Sequence, residues 1–211
     1  VGRKEKEIMK VLDKGFIELL DSMGNDETIV DAARLSYLKS SNGDGNKDKE
    51  LIKMLIKNDH MSPFEQVEFQ FLVKAPIFVA RQWMRHRTWN YSEVSRRHSS
   101  GEICFYIPEN IPEEDKEILR NAYFTALGEY DLLLKHGVRK EQARIILPVG
   151  LYTIFYAKTD LRNLFNFLYQ RSAKDAQLEI REYAKAIEEL ISPIVPLSLA
   201  AWKEKYDLTD L

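Results

Sequence analysis

The chain is short of most residues that announce a chemistry by themselves. A single cysteine, Cys104, stands among 211 residues, which excludes an intramolecular disulfide and a cysteine-ligated zinc centre. Histidine occurs four times, and no two copies have the H-E-x-x-H spacing that places paired metal ligands on one helical face. Glycine is thin as well, with nine copies. No G-x-G-x-x-G follows a strand pattern and no G-x-x-x-x-G-K-[ST] is present, so a dinucleotide must be held by side chains. The longest apolar tract, residues 145–157, is broken by Pro148 and Gly150 and is too short to span a bilayer. Val1 to Glu7 lack the apolar stretch of a signal peptide, so the expected location is cytoplasmic, with no membrane partner. Charge excess is also missing. Lysine plus arginine number 31 against 33 acidic residues, a formal net charge of −2, which leaves no global positive field for a long nucleic acid.

What the chain does have is concentrated between Arg81 and Arg97. Five arginines (Arg81, Arg85, Arg87, Arg96, Arg97) and His86 are interleaved there with Trp83, Trp89 and Tyr91. A purely solvated face gains nothing from large aromatics, so this local cluster on a neutral protein points to a small anionic ligand. Arginine suits that task because its planar fork pairs bidentately with phosphate or carboxylate. A helix is expected over 76–87, begun by Pro76, with Gln82, Arg81 and Arg85 clustered on it.

Arg85-His86-Arg87, seven residues and then Ser95 resembles the RHR-x7-S signature of the flavin-dependent thymidylate synthases. His60-Met61-Ser62-Pro63-Phe64-Glu65 is similar to that family's H-x-[TS]-P-F-E box. Ala75 to Trp83, Ala143 to Pro148 and the segment from Asn166 to Arg171 are similar in order and spacing. The resemblance implies FAD held by Arg85, His86, Arg87, Ser62, Glu65 and Asn166, with His60 nearby, Glu93 in reach and Ser36 matching a flavin-contacting serine. It implies dUMP held by Gln82, Arg85, Glu93, Ser95, Arg97, Arg144 and Arg171. Arg171 would polarise the uracil carbonyl, and Ser95 would orient the nucleotide. The carbon donor would be 5,10-methylenetetrahydrofolate and the reductant NADPH, in a homotetramer with shared active sites. Asp175 stands where the family often has histidine, so no contact is carried over to it.

The residues also support readings of their own. Arg144 lies among Ala143, Ile145 and Ile146, an apolar setting in which its charge needs an anion, either a protein carboxylate or a ligand phosphate. Arg171 at a helix C-terminus equally suits the helix dipole. Cys104, in an apolar segment that disfavours the thiolate, reads as a small hydrophobe rather than a nucleophile. Two other functions fit the Arg/Trp segment: a flavoprotein oxidoreductase with another anionic substrate, and a nucleotide- or RNA-binding module, against which the net charge speaks.

For the fold, 45% hydrophobic residues suffice for one core, taken as one domain over 1–211. Strands are expected at 9–22, as a pair around a turn in which Gly15 supplies positive φ, at 67–74, at 103–107 and at 151–158. Helices are expected at 28–37 and 50–57, with a loop at 40–49 between them. Further helices start at 113, with Leu119, Ala122, Ala126, Tyr130 and Leu133 buried, and after Asp160, with Leu161, Leu164, Phe165 and Leu168 as its core stripe. A last one carries Ala176 to Leu190 and is closed by Pro193 and Pro196. Without βαβ regularity the class is α+β, a mostly antiparallel sheet flanked by helices.

Overall fold

The computed structural model describes residues 8–36, 45–95, 97 and 103–208. Five antiparallel strands form one sheet among these residues, β1 (Ile8–Val11), β2 (Gly15–Met23), β3 (Glu68–Pro76), β4 (Asn90–Glu93) and β5 (Tyr152–Asp160), in the order β1-β2-β3-β5-β4. β3 sits at the centre, and its odd-numbered residues Phe69, Phe71, Val73 and Ala75 are buried. Phe155 and Ala157 continue that face on β5, whereas Ile154 and Tyr156 are exposed. The class is α+β, as expected.

The buried face is covered by α3 (Ile77–Trp83), α6 (Leu161–Arg171) and α7 (Leu178–Ile191). Asp160 caps α6 by accepting from the Asn163 N–H at 2.9 Å, and Leu161, Leu164, Phe165 and Leu168 are all buried. Trp83 lies at the meeting point, edge-on to Trp89, Phe155 and Tyr183 and tilted against Phe167. A fully buried tryptophan with four aromatic neighbours locks the end of α3 to the sheet.

Several boundaries differ from expectation for identifiable reasons. In the β1–β2 turn the positive φ, 59°, falls on Leu12. Gly15 is needed for close approach instead, since a Cβ there would lie 2.1 Å from the Tyr183 hydroxyl. α1 spans Asp26–Leu35, begun by an Asn25/Thr28 capping box. Residues 37–44 lie outside the described residues, and 45–49 are helix rather than loop, as the start of α2 (Gly45–Lys57). Segment 103–107 makes only one bridge, Phe105 to Leu151. α4 (Glu113–Lys135) buries only Tyr130 of its expected face, and Ala122 is exposed. Two short turns, α5 (Lys140–Ala143) and the 3₁₀ turn Arg144–Ile146, had no clear periodicity.

The largest miss is at the end. α7 is not the last helix, because Pro196 opens α8 (Pro196–Tyr206) instead of closing the chain. Proline suits the first helical position as well as it suits a stop. No described helix is long and apolar enough to cross a membrane.

Candidate active site

α3 stops at Trp83, earlier than expected, so Arg85 is not helical and does not stack on Arg81. The chain tightens into i→i+3 bonds, Arg85 N–H to the Gln82 carbonyl at 3.3 Å and His86 N–H to the Trp83 carbonyl at 3.0 Å. The Tyr91 hydroxyl, arriving on β4, stands 3.0 Å from both the Trp83 and the His86 carbonyl oxygens and shares its one proton between them. It adds to bonds already made there, since the Trp83 carbonyl also accepts from the His86 N–H and the His86 carbonyl from the Trp89 N–H at 3.2 Å. The turn sends successive side chains opposite ways. Arg85 and Arg87 are exposed, whereas His86 is buried at 5% exposure against Phe167.

Three groups of the expected residues emerge. The first joins Gln82, His86 and Arg171. Arg171 Nε donates to His86 Nε2 at 3.0 Å, and its Nη2 donates to the Gln82 carbonyl at 3.0 Å. Burial, and then the Arg171 charge, push the His86 imidazole down to about 4. Burial also lowers the Arg171 guanidinium below its ordinary value. The Gln82 side-chain amide bonds the Gln177 side chain.

The second group follows β4. Glu93 accepts from the buried Thr153 hydroxyl at 2.6 Å, and Ser95 is exposed just beyond. Arg97 lies 3.5 Å from Glu141 on α5, which immediately precedes Arg144. Arg144 is exposed, and Ile145 and Ile146 are 79% and 39% exposed. The apolar burial inferred from its sequence neighbours is therefore absent, because the short turn points them outward.

The third group surrounds the 3₁₀ turn Ser62–Gln66. Ser62 and Glu65 are exposed, and Glu65 is ion-paired with Arg162 on α6. Asn166, one turn on, lines with Arg162 a hollow of about 140 Å³ walled by Phe165, Tyr169, Trp202 and Tyr206. His60 is exposed beside this turn. α6 joins the first and third groups, since Asn166, Phe167 and Arg171 are on it. Phe155, which opposes Glu93 and touches Trp83 and Tyr91, joins the first and second. Ser36 ends α1, exposed, and no hydrogen bond or ion pair ties it to the three groups among the described residues.

Arg85, Arg87, Arg144 and Arg171 have no carboxylate partner among the described residues. Arg34, Arg97, Arg120, Arg139 and Arg162 each have one. Arg81 and Arg181 also lack one among the described residues, so four of the six unpaired arginines were expected to meet ligand anions, while Arg97, also expected to, is paired with Glu141. Sequence reasoning missed Gln177, Thr153, Glu141 and Arg162. Arg162 had a signal, its place four residues before Asn166 on one helical face. The others are brought in by tertiary contact alone.

Cys104 is half-buried, and its carbonyl accepts from the Tyr152 N–H at 2.9 Å, so its segment is part of the scaffold. His98 lies outside the described residues.

A profile of the thymidylate synthase complementing protein family matches residues 18–197. The chain is 48% identical over 214 aligned positions to a flavin-dependent thymidylate synthase of Thermus thermophilus, covering 92% of this chain and 77% of the relative. It is 44% identical to the enzyme of that name from Thermotoga neapolitana, covering 91% and 92%. Among solved structures, a UMP/dUMP methylase, PolB, from Streptomyces cacaoi bound with 5-Br UMP superposes with a TM-score of 0.83. The identity is 31%, over 93% of this chain and 97% of that one.

Proposed function

The chain belongs to the thymidylate synthase complementing protein family, and from that premise we propose that it methylates dUMP to dTMP with FAD as its flavin. The observation that carries the residue assignments is the half-buried Arg171, fixed at two of its nitrogens, together with exposed Arg85, Arg87 and Arg144, none of the four having a carboxylate partner among the described residues. Such a set keeps its forked donors and charge available to an anion, and dUMP and FAD are both anionic.

The donor chemistry fits a flavin dinucleotide. Arg85 and Arg87, thrown outward by the turn after α3, suit a pyrophosphate. Ser62, Glu65, Asn166, His60 and Ser36 supply the remaining hydrogen-bonding positions of the cofactor side. When bound and reduced by NADPH, the flavin would supply the hydride for the new methyl group, whose carbon would come from 5,10-methylenetetrahydrofolate. The chain's own share is binding and orientation. Ser95, Arg97 and Arg144 hold the nucleotide phosphate, and Gln82 and Glu93 hold the sugar and base. Arg171 presents its remaining N–H groups to the uracil carbonyl, where negative charge builds as the ring is activated.

Among the described residues, the hollow that takes in Asn166 is small. The hollow beside Asn166 has a volume of about 140 Å³, well below the roughly 300–1,000 Å³ typical of a small-molecule site. A larger groove, about 750 Å³ between α2 and α8, contains none of the expected residues. Ile118, Phe124 and Ile145 are 65–79% exposed, as faces awaiting a partner are. A homotetramer with shared sites accounts for both facts.

The test is tritium release from C5-labelled dUMP by purified, FAD-loaded protein supplied with NADPH and 5,10-methylenetetrahydrofolate. Release matched by dTMP formation is expected from a yellow protein that sediments as a tetramer. A colourless protein, or flavin turnover without tritium release, would overturn the proposal.

A further inference from the structure

The central histidine of the Arg85-His86-Arg87 run differs from its neighbours in every structural respect. It is the buried member, at 5% exposure, and Phe167 packs on its ring at 4.9 Å between centroids. Its backbone is held on both sides, by its own N–H to the Trp83 carbonyl at 3.0 Å and by the Tyr91 hydroxyl 3.0 Å from its carbonyl. Its one side-chain hydrogen bond among the described residues is as an acceptor for Arg171. We infer that His86 is a positioning residue for Arg171: a neutral acceptor that fixes the guanidinium without cancelling its charge.

The chemistry of the pair supports that role. An arginine has five N–H donors and no acceptor, so whatever orients it must offer a lone pair. A carboxylate would do so, but its negative charge would oppose the field that Arg171 presents to a developing anion. A neutral imidazole offers a lone pair and no charge. With Nε2 accepting from Arg171, the imidazole proton belongs on Nδ1. Burial and the adjacent cation keep the ring neutral near pH 7.

The geometry completes the case. Nε and Nη2 of Arg171 are both engaged by the turn after α3, on His86 and on the Gln82 carbonyl. One edge of the guanidinium is thus pinned, which leaves Nη1 and the second Nη2 proton to face a ligand. The turn is in turn clamped by Tyr91, so β4, α3 and α6 together fix one functional group. Placement on rigid elements with locked supporting contacts is what a catalytic donor needs.

The inference rests on the proposed role of Arg171, and the test separates the two. FAD-loaded His86→Met lacks the acceptor and His86→Gln retains one. The Met variant should keep its flavin spectrum and bind dUMP within about three-fold of the parent, while kcat for dTMP falls about 100-fold, as for other misplaced catalytic groups. The Gln variant should recover to within about ten-fold of the parent. In an Arg171→Lys background, which has no guanidinium to orient, His86→Met should change kcat by less than about three-fold.

If His86→Met is not folded, Tyr91→Phe, which frees only the clamp, takes its place in the same cycle. Equal losses in both backgrounds would overturn the inference, and so would flavin loss from the Met variant. Full activity of Arg171→Lys would instead overturn the proposed role of Arg171, a separate outcome read from a separate variant.

Discussion

The Asp26 carboxylate, in the first turn of α1, accepts three hydrogen bonds from the first turn of α8. They come from the Leu197 N–H at 2.7 Å, the Ser198 N–H at 3.0 Å and the Ser198 hydroxyl at 2.5 Å. The two helices lie at opposite ends of the chain, so a residue near the start caps a helix near the finish. Asp26 and Ser198 are both buried, which denies water the chance to replace the bonds. An acceptor lost there leaves N–H donors unsatisfied at a helix N-terminus.

Asp26→Ala should therefore destabilise the protein by about 2–3 kcal/mol, the combined size of a lost cap and a buried charged acceptor. Asp26→Asn, which retains an acceptor oxygen, should lose roughly half as much. Urea unfolding of the three proteins measures this. Equal midpoints for Ala and parent would show that α8 docks without the cap.

Gly15 carries a different constraint. A Cβ at this position would stand 2.1 Å from the Tyr183 hydroxyl oxygen, 2.6 Å from the Val11 carbonyl and 2.8 Å from the Lys74 carbonyl. Gly15→Ala should cost about 1–3 kcal/mol, the usual penalty for overpacking. Combining it with Tyr183→Phe should recover little, because the two backbone carbonyls still obstruct the methyl group. Thermal unfolding of the single and double variants checks this; full recovery in the double variant would place the whole conflict on the Tyr183 hydroxyl.

The difference between what was legible in the sequence and what was not follows range. The stripe of α6 and the alternation of β3 are local patterns, with periods of 3.6 and 2, and both appear where expected. The arginine-rich run was legible because its residue types have few other uses. Its division into outward arginines and an inward histidine was not, because the turn after α3 is held by Tyr91, which arrives from a later strand. Arg144 misled for a related reason, since apolar neighbours in sequence are not apolar neighbours in space when the turn is short and exposed. Pro196 fits the stop of one helix and the start of another, and Asp26, which distinguishes them, lies far earlier in the chain.

His86 should make stability depend on pH. Its imidazole is held down to about 4, mainly by burial, from an ordinary value of 6.5. Between those values the unfolded chain takes up a proton that the folded chain refuses. The stabilisation is thus fully present above about pH 6.5 and declines as the pH falls toward 4, with a total on the order of 3 kcal/mol. His86→Gln has no proton to take up, so its loss of stability from pH 7 to pH 4.5 should be smaller than the parent's. Parallel urea titrations at the two pH values test this, and identical pH slopes would contradict it.

Arg97 tests the nucleotide side of the site. Its partner in the chain is Glu141 at 3.5 Å, with side chains 55% and 40% exposed. An ion pair so open to water contributes little to stability, so Arg97 can exchange Glu141 for a phosphate at small cost. Arg97→Ala should weaken dUMP binding by about 1.5–3 kcal/mol, the worth of a charge-assisted contact, and leave FAD binding within experimental error. Glu141→Ala should leave dUMP affinity equal or tighter, because it removes the acidic competitor that faces Arg97 among the described residues. Both unfolding midpoints should stay near the parent's, since neither residue is buried. Calorimetric titration of dUMP into the FAD-loaded proteins gives the affinities directly. If Arg97→Ala loses flavin while its dUMP affinity holds, Arg97 belongs to the cofactor, and the residues shared between Glu93 and Arg97 must be divided the other way.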